Sequence, residues 1–328
     1  KLKDAFSVEK LTKEFYSRLF EWYQWALSDE MGVTYPNDTE TDEDDRQISE
    51  HIIRLITRLM FVWFLKQKHL IPDELFEPGT LKHILRKFDP VAGDNYYRAI
   101  IQNLFFATLN SEIPERGFAT QTGDRTEHFD IKTLYRYPKE FAISEAEVLE
   151  LFKGIPFLNG GLFECLDRGR NYYDGFSRNR NRAAKVPNRL FFDPNEGLIP
   201  LLQQYNFTVE ENSPGDEEVA LDPELLGKVF ENLLAAYNPE TNVQARKATG
   251  SFYTPREIVN YMVDESLIAH LKARCGDEHE DSIRQLFAEG TPPKDAKLRK
   301  AMDEALATAK ILDPACGSGA FPMGMLLR

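Results

Sequence analysis

From residue 8 to residue 27, Val8, Leu11, Phe15, Leu19, Phe20, Trp22, Tyr23 and Leu27 recur mostly at three- and four-residue spacing, the period of an amphipathic helix. The pattern is clearest over 46–69, where Ile48, Ile52, Leu55, Ile56, Leu59, Met60, Trp63 and Phe64 trace one stripe. Arg46, Glu50, Arg54 and Arg58 fall off that stripe. A stripe this wide predicts a helix buried against other helices and ended by Pro72. Between the two, residues 28–45 hold eight acidic residues, no basic one, Gly32 and Pro36, which predicts a solvated loop. Further helices are predicted over 94–109 and 144–153, with a strand around Phe129 to Tyr137 in the polar stretch that separates them. Trp22, Trp25 and Trp63 lie within helical patterns and are read as core.

Residues 154–207 lose periodicity, because Gly154, Pro156, Gly160, Gly161, Pro187, Pro194 and Gly197 cut the apolar pieces short. After an acidic break at 211–218, Asp222 and Pro223 mark the start of a helix reaching Ala236. Thr254-Pro255-Arg256-Glu257 has the form of a capping box, and Ile258, Val259, Met262, Val263, Leu267 and Leu271 carry a helix onward from it. One or two helices are expected over 279–309, around Gly290-Thr291-Pro292-Pro293. Ile311-Leu312 then reads as a short buried strand running into a glycine-bearing turn, with a helix beginning near Ala320. There is no internal repeat.

Composition changes this picture little. Hydrophobic residues make up 42% and charged residues 28% of the 328, an ordinary globular balance. No apolar run approaches the roughly 18 residues of a membrane span, and the N-terminus has no apolar signal segment. Cys165, Cys275 and Cys316 are far apart, with neither disulfide nor zinc spacing, so they are expected to be free thiols in a reducing cytoplasm. The six histidines show no paired spacing, and no metal set is expected. The net charge of −13 argues against a generic nucleic-acid coat protein, but its distribution is uneven. Residues 168–189 carry Arg168, Arg170, Arg178, Arg180, Arg182, Lys185 and Arg189 against Asp174 alone. Arginines interleaved with Asn171, Asn179, Asn181, Tyr172 and Tyr173 suit phosphate contact, and a plain solvated loop is the alternative. Arg178, Arg180, Arg182, Lys185 and Arg189 are the candidate DNA contacts.

The chemistry-bearing string is Asp313-Pro314-Ala315-Cys316-Gly317-Ser318-Gly319-Ala320-Phe321. Gly317 and Gly319 let the backbone turn tightly and approach a ligand, and the following helix points its unpaired N–H groups at the turn. A dinucleotide site would want a third glycine where Pro322 stands. The string resembles the S-adenosylmethionine-binding motif of N6-adenine DNA methyltransferases. Upstream and in the matching order, Gly250-Ser251-Phe252-Tyr253-Thr254-Pro255 resembles the segment that closes over the cofactor from the other side in that family. Pro156-Phe157-Leu158-Asn159-Gly160-Gly161-Leu162-Phe163-Glu164 and the segment 221–231 look like stretches found upstream of the methylase core in type IIG restriction–modification and phage-defence methylases.

The resemblance implies a mainly α chain. A helical connector domain over 1–240, with its irregular basic segment at 154–207, would precede the start of an α/β Rossmann-like S-adenosylmethionine-dependent methyltransferase domain over 241–328, its sheet incomplete. It implies S-adenosylmethionine and double-stranded DNA as ligands and no membrane. Tyr253, Thr254, Pro255, Asp313, Pro314, Ala315, Cys316, Gly317, Ser318, Gly319 and Phe321 are the implied cofactor-binding residues. In that family an Asn/Asp-Pro-Pro-Tyr/Phe string holds the flipped adenine. No such string occurs here, so these residues alone are expected not to methylate. Mg2+ would enter only with a nuclease domain. The nearest nuclease-like set, Asp130-Ile131-Lys132 with Asp124, is better read as a surface strand. The competing class is a non-catalytic DNA- or protein-binding connector with a structural methylase remnant.

Overall fold

The long helices form where the stripes predict them. In the computed structural model, residues 2–36, 42–119, 131–158, 161–168, 171–207, 220–221, 254, 256–314 and 319–328 are described. The chain divides into two compact units, Lys1–Ala248 and Thr249–Arg328. The expected boundary at 240–241 and the expected helix from Pro223 to Ala236 lie outside the described residues.

In the first unit, α1 (Leu2–Ala26) and α2 (Asp42–Gln67) are the longest helices among the described residues. Phe15, Leu19, Trp22 and Tyr23 of α1 are buried, and Trp22 Nε1 donates to the Leu190 carbonyl at 2.8 Å. Phe15 meets Tyr205 and Phe207 edge-on, so α1 packs against the chain that follows α6 (Leu198–Gln203). Helix α2 is buried on more sides than its stripe predicted. His51, Ile53, Arg58 and Val62 are buried together with the stripe residues from Ile52 onward, while Ile48 is half-buried. The acidic loop is shorter and less solvated than expected. Met31, Val33 and Tyr35 are buried, Thr34 bridges to Lys185, and α2 already begins at Asp42. Acidic residues are favourable in the first turn of a helix, where they meet its positive dipole end.

After α3 (Pro78–Ile84), the segment 94–109 is helical as predicted, but Tyr97–Leu109 coils as a π-helix with all thirteen residues buried. That exceeds the single-turn bulges in which this geometry usually occurs. Three of its polar side chains are tied to backbone or side-chain groups. Gln102 donates to the Asp174 carbonyl, Asn103 donates to the Ala99 and Arg136 carbonyls, and the Thr108 hydroxyl lies 2.7 Å from that of Tyr135. Helix α4 (Glu145–Phe152) starts at a capping box made by Ser144 and Glu147. The strand expected around 129–137 does not form over 131–137, where a lone bridge joins Tyr135 to Phe118. Without a longer partner, one bridge cannot propagate into a ladder. The segment 154–207 is irregular but not peripheral. Its short turns and α5 (Arg189–Phe192) bury Phe163, Phe176, Val186, Leu190, Phe191 and Phe192 in the main core. A two-residue parallel pair, β1 (Asn206–Phe207) with β2 (Ala220–Leu221), is the only sheet among the described residues.

The second unit is built on α7 (Arg256–Cys275), which carries α8 (Glu280–Glu289), α9 (Ala296–Ala307) and α10 (Ala320–Leu327). Its small core is Ile268, Leu271, Ile283, Leu298, Met302 and Ala305. Gly290, in the left-handed region at φ 65°, ends α8 as a glycine C-cap does. The described chain is thus mainly helical. No helix among the described residues is long and apolar enough to cross a membrane.

Candidate functional site

The glycine turn lies in the second unit. Gly319 takes φ 84° and opens α10, a conformation that favours glycine because it has no Cβ to clash. Five residues on, Gly324 allows close packing: a Cβ there would come within 2.8 Å of Val259 Cγ1 and 3.2 Å of Val263 Cγ2. That contact sets α10 against the first two turns of α7, the end preceded by Thr254. Of the two sequence motifs, the described Thr254 and Gly319 thus stand before the starts of two neighbouring helices of one unit. Thr254, Asp313, Gly319 and Phe321 are half-buried, and Pro314 is exposed. Tyr253, Pro255, Ala315, Cys316, Gly317 and Ser318 lie outside the described residues.

One expectation here is corrected. Ile311 and Leu312 are not a buried strand: they form no ladder and are 58% and 87% exposed. A strand needs a neighbour for its N–H and C=O groups, and the described part of this unit has no other strand to offer.

The basic segment lies in the first unit. Arg168, Arg178, Arg180, Arg182 and Lys185 are exposed, as are Asn171, Asn179 and Asn181. Arg182 lies over the Tyr172 ring, 4.9 Å from its centroid, and donates to the phenol oxygen at 2.6 Å. Arg189 is placed differently. Its guanidinium is held by Glu30 at 2.7 Å and Asp193 at 3.1 Å and lies over Trp25, so it is committed within the fold.

Beneath this surface sits a polar cluster that the sequence did not announce. Arg58, 3% exposed, donates to the carboxylate of Asp174 and to the carbonyls of Leu162 and Glu164. Asp174 also accepts from the Leu166 N–H, and Asp167 accepts from the N–H groups of Asp174, Gly175 and Phe176. Cys165, Asp167 and Asp174 each present a ligating atom within 4.8 Å of the others. Both carboxylates are already spent on backbone N–H groups and Arg58, so the cluster works as a clamp on the loop rather than as a vacant cation site. Burial raises the pKa of the Asp167 carboxyl and pushes the Cys165 thiol well up, which makes that thiol a poor nucleophile or ligand. His51 is stacked on Tyr35 at 3.8 Å and tilted against Tyr173 at 4.2 Å. Burial lowers its pKa to about 4. The one available hint of the clamp was Val62, an apolar residue one helical turn beyond Arg58, which marks that side of α2 as buried too. Of the nuclease-like set, Asp124 and Asp130 lie outside the described residues, and Lys132 is half-buried on the loop before Tyr135.

No protein-family model matches the chain, and no solved structure does. In an alignment of 314 positions that covers 89% of its length, the chain is 28% identical to a protein of Methanocaldococcus jannaschii provisionally named a type II restriction enzyme and methyltransferase. The chain spans about a fifth of the length of that curated relative, 21%.

Proposed function

We propose that this chain is the connector and the beginning of the catalytic domain of an S-adenosylmethionine-dependent DNA methyltransferase, acting at adenine N6 within a type IIG restriction–modification or phage-defence protein. The observation that carries the proposal is the string 313–321, in which left-handed Gly319 opens α10 beside the helix that Thr254 precedes. The name of the M. jannaschii relative supports it at the level of a restriction–modification methyltransferase.

The described residues fit the cofactor. A Cβ built on Gly319 would meet nothing within 4 Å, so a ligand can approach the backbone at that point. The first-turn N–H groups of α10, at Ala320 and Phe321, have no intrahelical partner and suit the cofactor's carboxylate. Asp313, Gly317 and Gly319 would hold the amino acid and sugar part, while Tyr253, Thr254 and Pro255 would close the opposite wall. Bound there, S-adenosylmethionine supplies a sulfonium-activated methyl group for a nucleophilic amine. The residues of this chain bind and orient; the group that holds the flipped adenine is not among them.

Calorimetric titration of S-adenosylmethionine into the natural gene product carrying this sequence tests the proposal. Saturable binding that is lost on Gly319→Val is the expected result. A well-folded product with no binding, or binding indifferent to Gly319→Val and Asp313→Ala, would remove the cofactor assignment.

A further inference from the structure

We propose that the loop 177–182, Ser177-Arg178-Asn179-Arg180-Asn181-Arg182, is a phosphate-gripping element that docks the first unit on the backbone of duplex DNA. The proposal rests on the DNA-modifying function above, but four observations in a different part of the chain carry it.

The segment 168–189 contributes no exposed acid of its own. Its one carboxylate, Asp174, is buried and bound to Arg58 at 3.0 Å. Among the described residues, Glu164 reaches Arg168 at 3.2 Å, Glu140 is shared between Arg98 and Arg180 at 3.3 and 3.6 Å, and Glu30 and Asp193 hold Arg189.

The loop also stands on a fixed base. Ala184 N–H donates to the Gly175 carbonyl at 3.1 Å, closing its neck, and Asp167 binds the N–H groups of residues 174–176 just before it. Gly175 at φ 60° lies so close to Ala184 and Pro36 that a Cβ would fall 2.4 Å from the Ala184 nitrogen. Asn179 Oδ1 accepts from the Asn181 N–H at 3.0 Å and shapes the tip. A pre-shaped loop loses less conformational entropy on binding.

The third observation is the pairing of Arg182 with the Tyr172 ring and hydroxyl, which orients its guanidinium without neutralising it.

The fourth lies under the loop. Arg136 is 4% exposed, stacks 4.3 Å over Phe176, and donates to the Ile131 carbonyl, yet its Nε has no hydrogen-bond partner. Among the described residues it has no ion pair. Beside it, Tyr137 sits at φ 62°, a strained backbone for an aromatic residue. The Asp167 carboxylate attracts Arg136, but the unpartnered Nε leaves part of the cost of burying this cation uncompensated, and an external anion over the loop lowers that cost further. Several exposed guanidiniums above a buried one call for a ligand with repeated negative charge. A phosphodiester backbone supplies it, and Arg with Asn is the side-chain chemistry that contacts it.

The test is fluorescence anisotropy of the natural gene product carrying this sequence on a labelled duplex of arbitrary sequence, from about 50 to about 200 mM salt. The variants are a triple Arg178→Gln, Arg180→Gln, Arg182→Gln, the same triple to Lys, and Arg189→Gln, all checked for unchanged thermal melting. Each phosphate contact contributes a slope of about 0.9, so the glutamine triple flattens the plot of log affinity against log salt by about 2.7. Wild type then loses about 40-fold more affinity than that triple across the range. The lysine triple and Arg189→Gln keep the slope. An unchanged slope in the glutamine triple, no duplex binding by wild type, or a loop-dependent slope on RNA but not on DNA would each overturn the proposal. Cofactor titration is a separate readout. If S-adenosylmethionine still binds, failure discards the loop alone; loop-dependent DNA binding without cofactor binding discards the methyltransferase reading alone.

Discussion

Arg58 fastens α2 to the irregular segment through one carboxylate and two carbonyls, all away from water. Such a group is worth most when it is broken, since its removal leaves Asp174 buried without its cation. Arg58→Met is therefore expected to cost about 3–5 kcal/mol in urea unfolding, while a double variant with Asp174→Asn should cost less than the two single changes added together. A cycle showing simple additivity would mean the pair is not coupled. His51 makes a prediction in pH. Burial, opposed by Asp174 and aided by Arg54 and Arg58, holds its pKa near 4, against 6.5 when unfolded. The unfolded chain then binds the extra proton first, so stability falls as pH drops from about 6.5 to about 4, by up to about 3 kcal/mol from this group. His51→Phe keeps a ring between Tyr35 and Tyr173 but cannot titrate. Its thermal midpoint should fall less than that of wild type between pH 7 and pH 4.5, and equal falls would refute the assignment.

Among the elements, helices were legible because periodicity is local: α1, α2, α4, α7 and α10 arise where apolar spacing, the prolines and the glycine turn place them. What was not legible depended on partners. Ile311-Leu312 has an apolar pair's composition but no neighbouring strand among the described residues, and the burial of α2 on its Arg58 side depends on Leu162, Glu164 and Asp174 packing over it. The π-helix has no spacing signature distinct from an α-helix at this length, and its polar anchors lie far away in sequence. The neck of the arginine loop tests how such an element is held. Gly175→Ala requires a left-handed alanine and a Cβ against the Ala184 nitrogen, so we expect a loss of about 2 kcal/mol or more in thermal or urea unfolding. The same change should weaken duplex binding at low salt, although no arginine is altered. Unchanged stability would show that the neck relaxes freely.

For the whole molecule, the chain falls into two compact units. The first combines a large aromatic core with an exposed arginine loop, and the second is a small helical layer ending in the glycine turn. Of the candidate cofactor residues, the left-handed position of Gly319 was legible, because that conformation favours glycine. The arginine surface was legible only as charge. Its burial pattern, the withdrawal of Arg189 into Glu30 and Asp193, and the orphaned Nε of Arg136 required the fold. Glycine at 324 belongs to the same scale. Gly324→Val pushes a branched side chain into Val259 and Val263 and is expected to lower both the melting temperature and S-adenosylmethionine affinity, read by calorimetry. The most direct measurement on the central claim is methyl transfer by the natural gene product carrying this sequence. It should be incubated with S-adenosylmethionine labelled in its methyl group and duplex DNA, followed by digestion to nucleosides. The account predicts label in N6-methyladenine, abolished by Gly319→Val. Label in a cytosine derivative would contradict adenine specificity, and no transfer by a folded, cofactor-supplied product would contradict the methyltransferase itself.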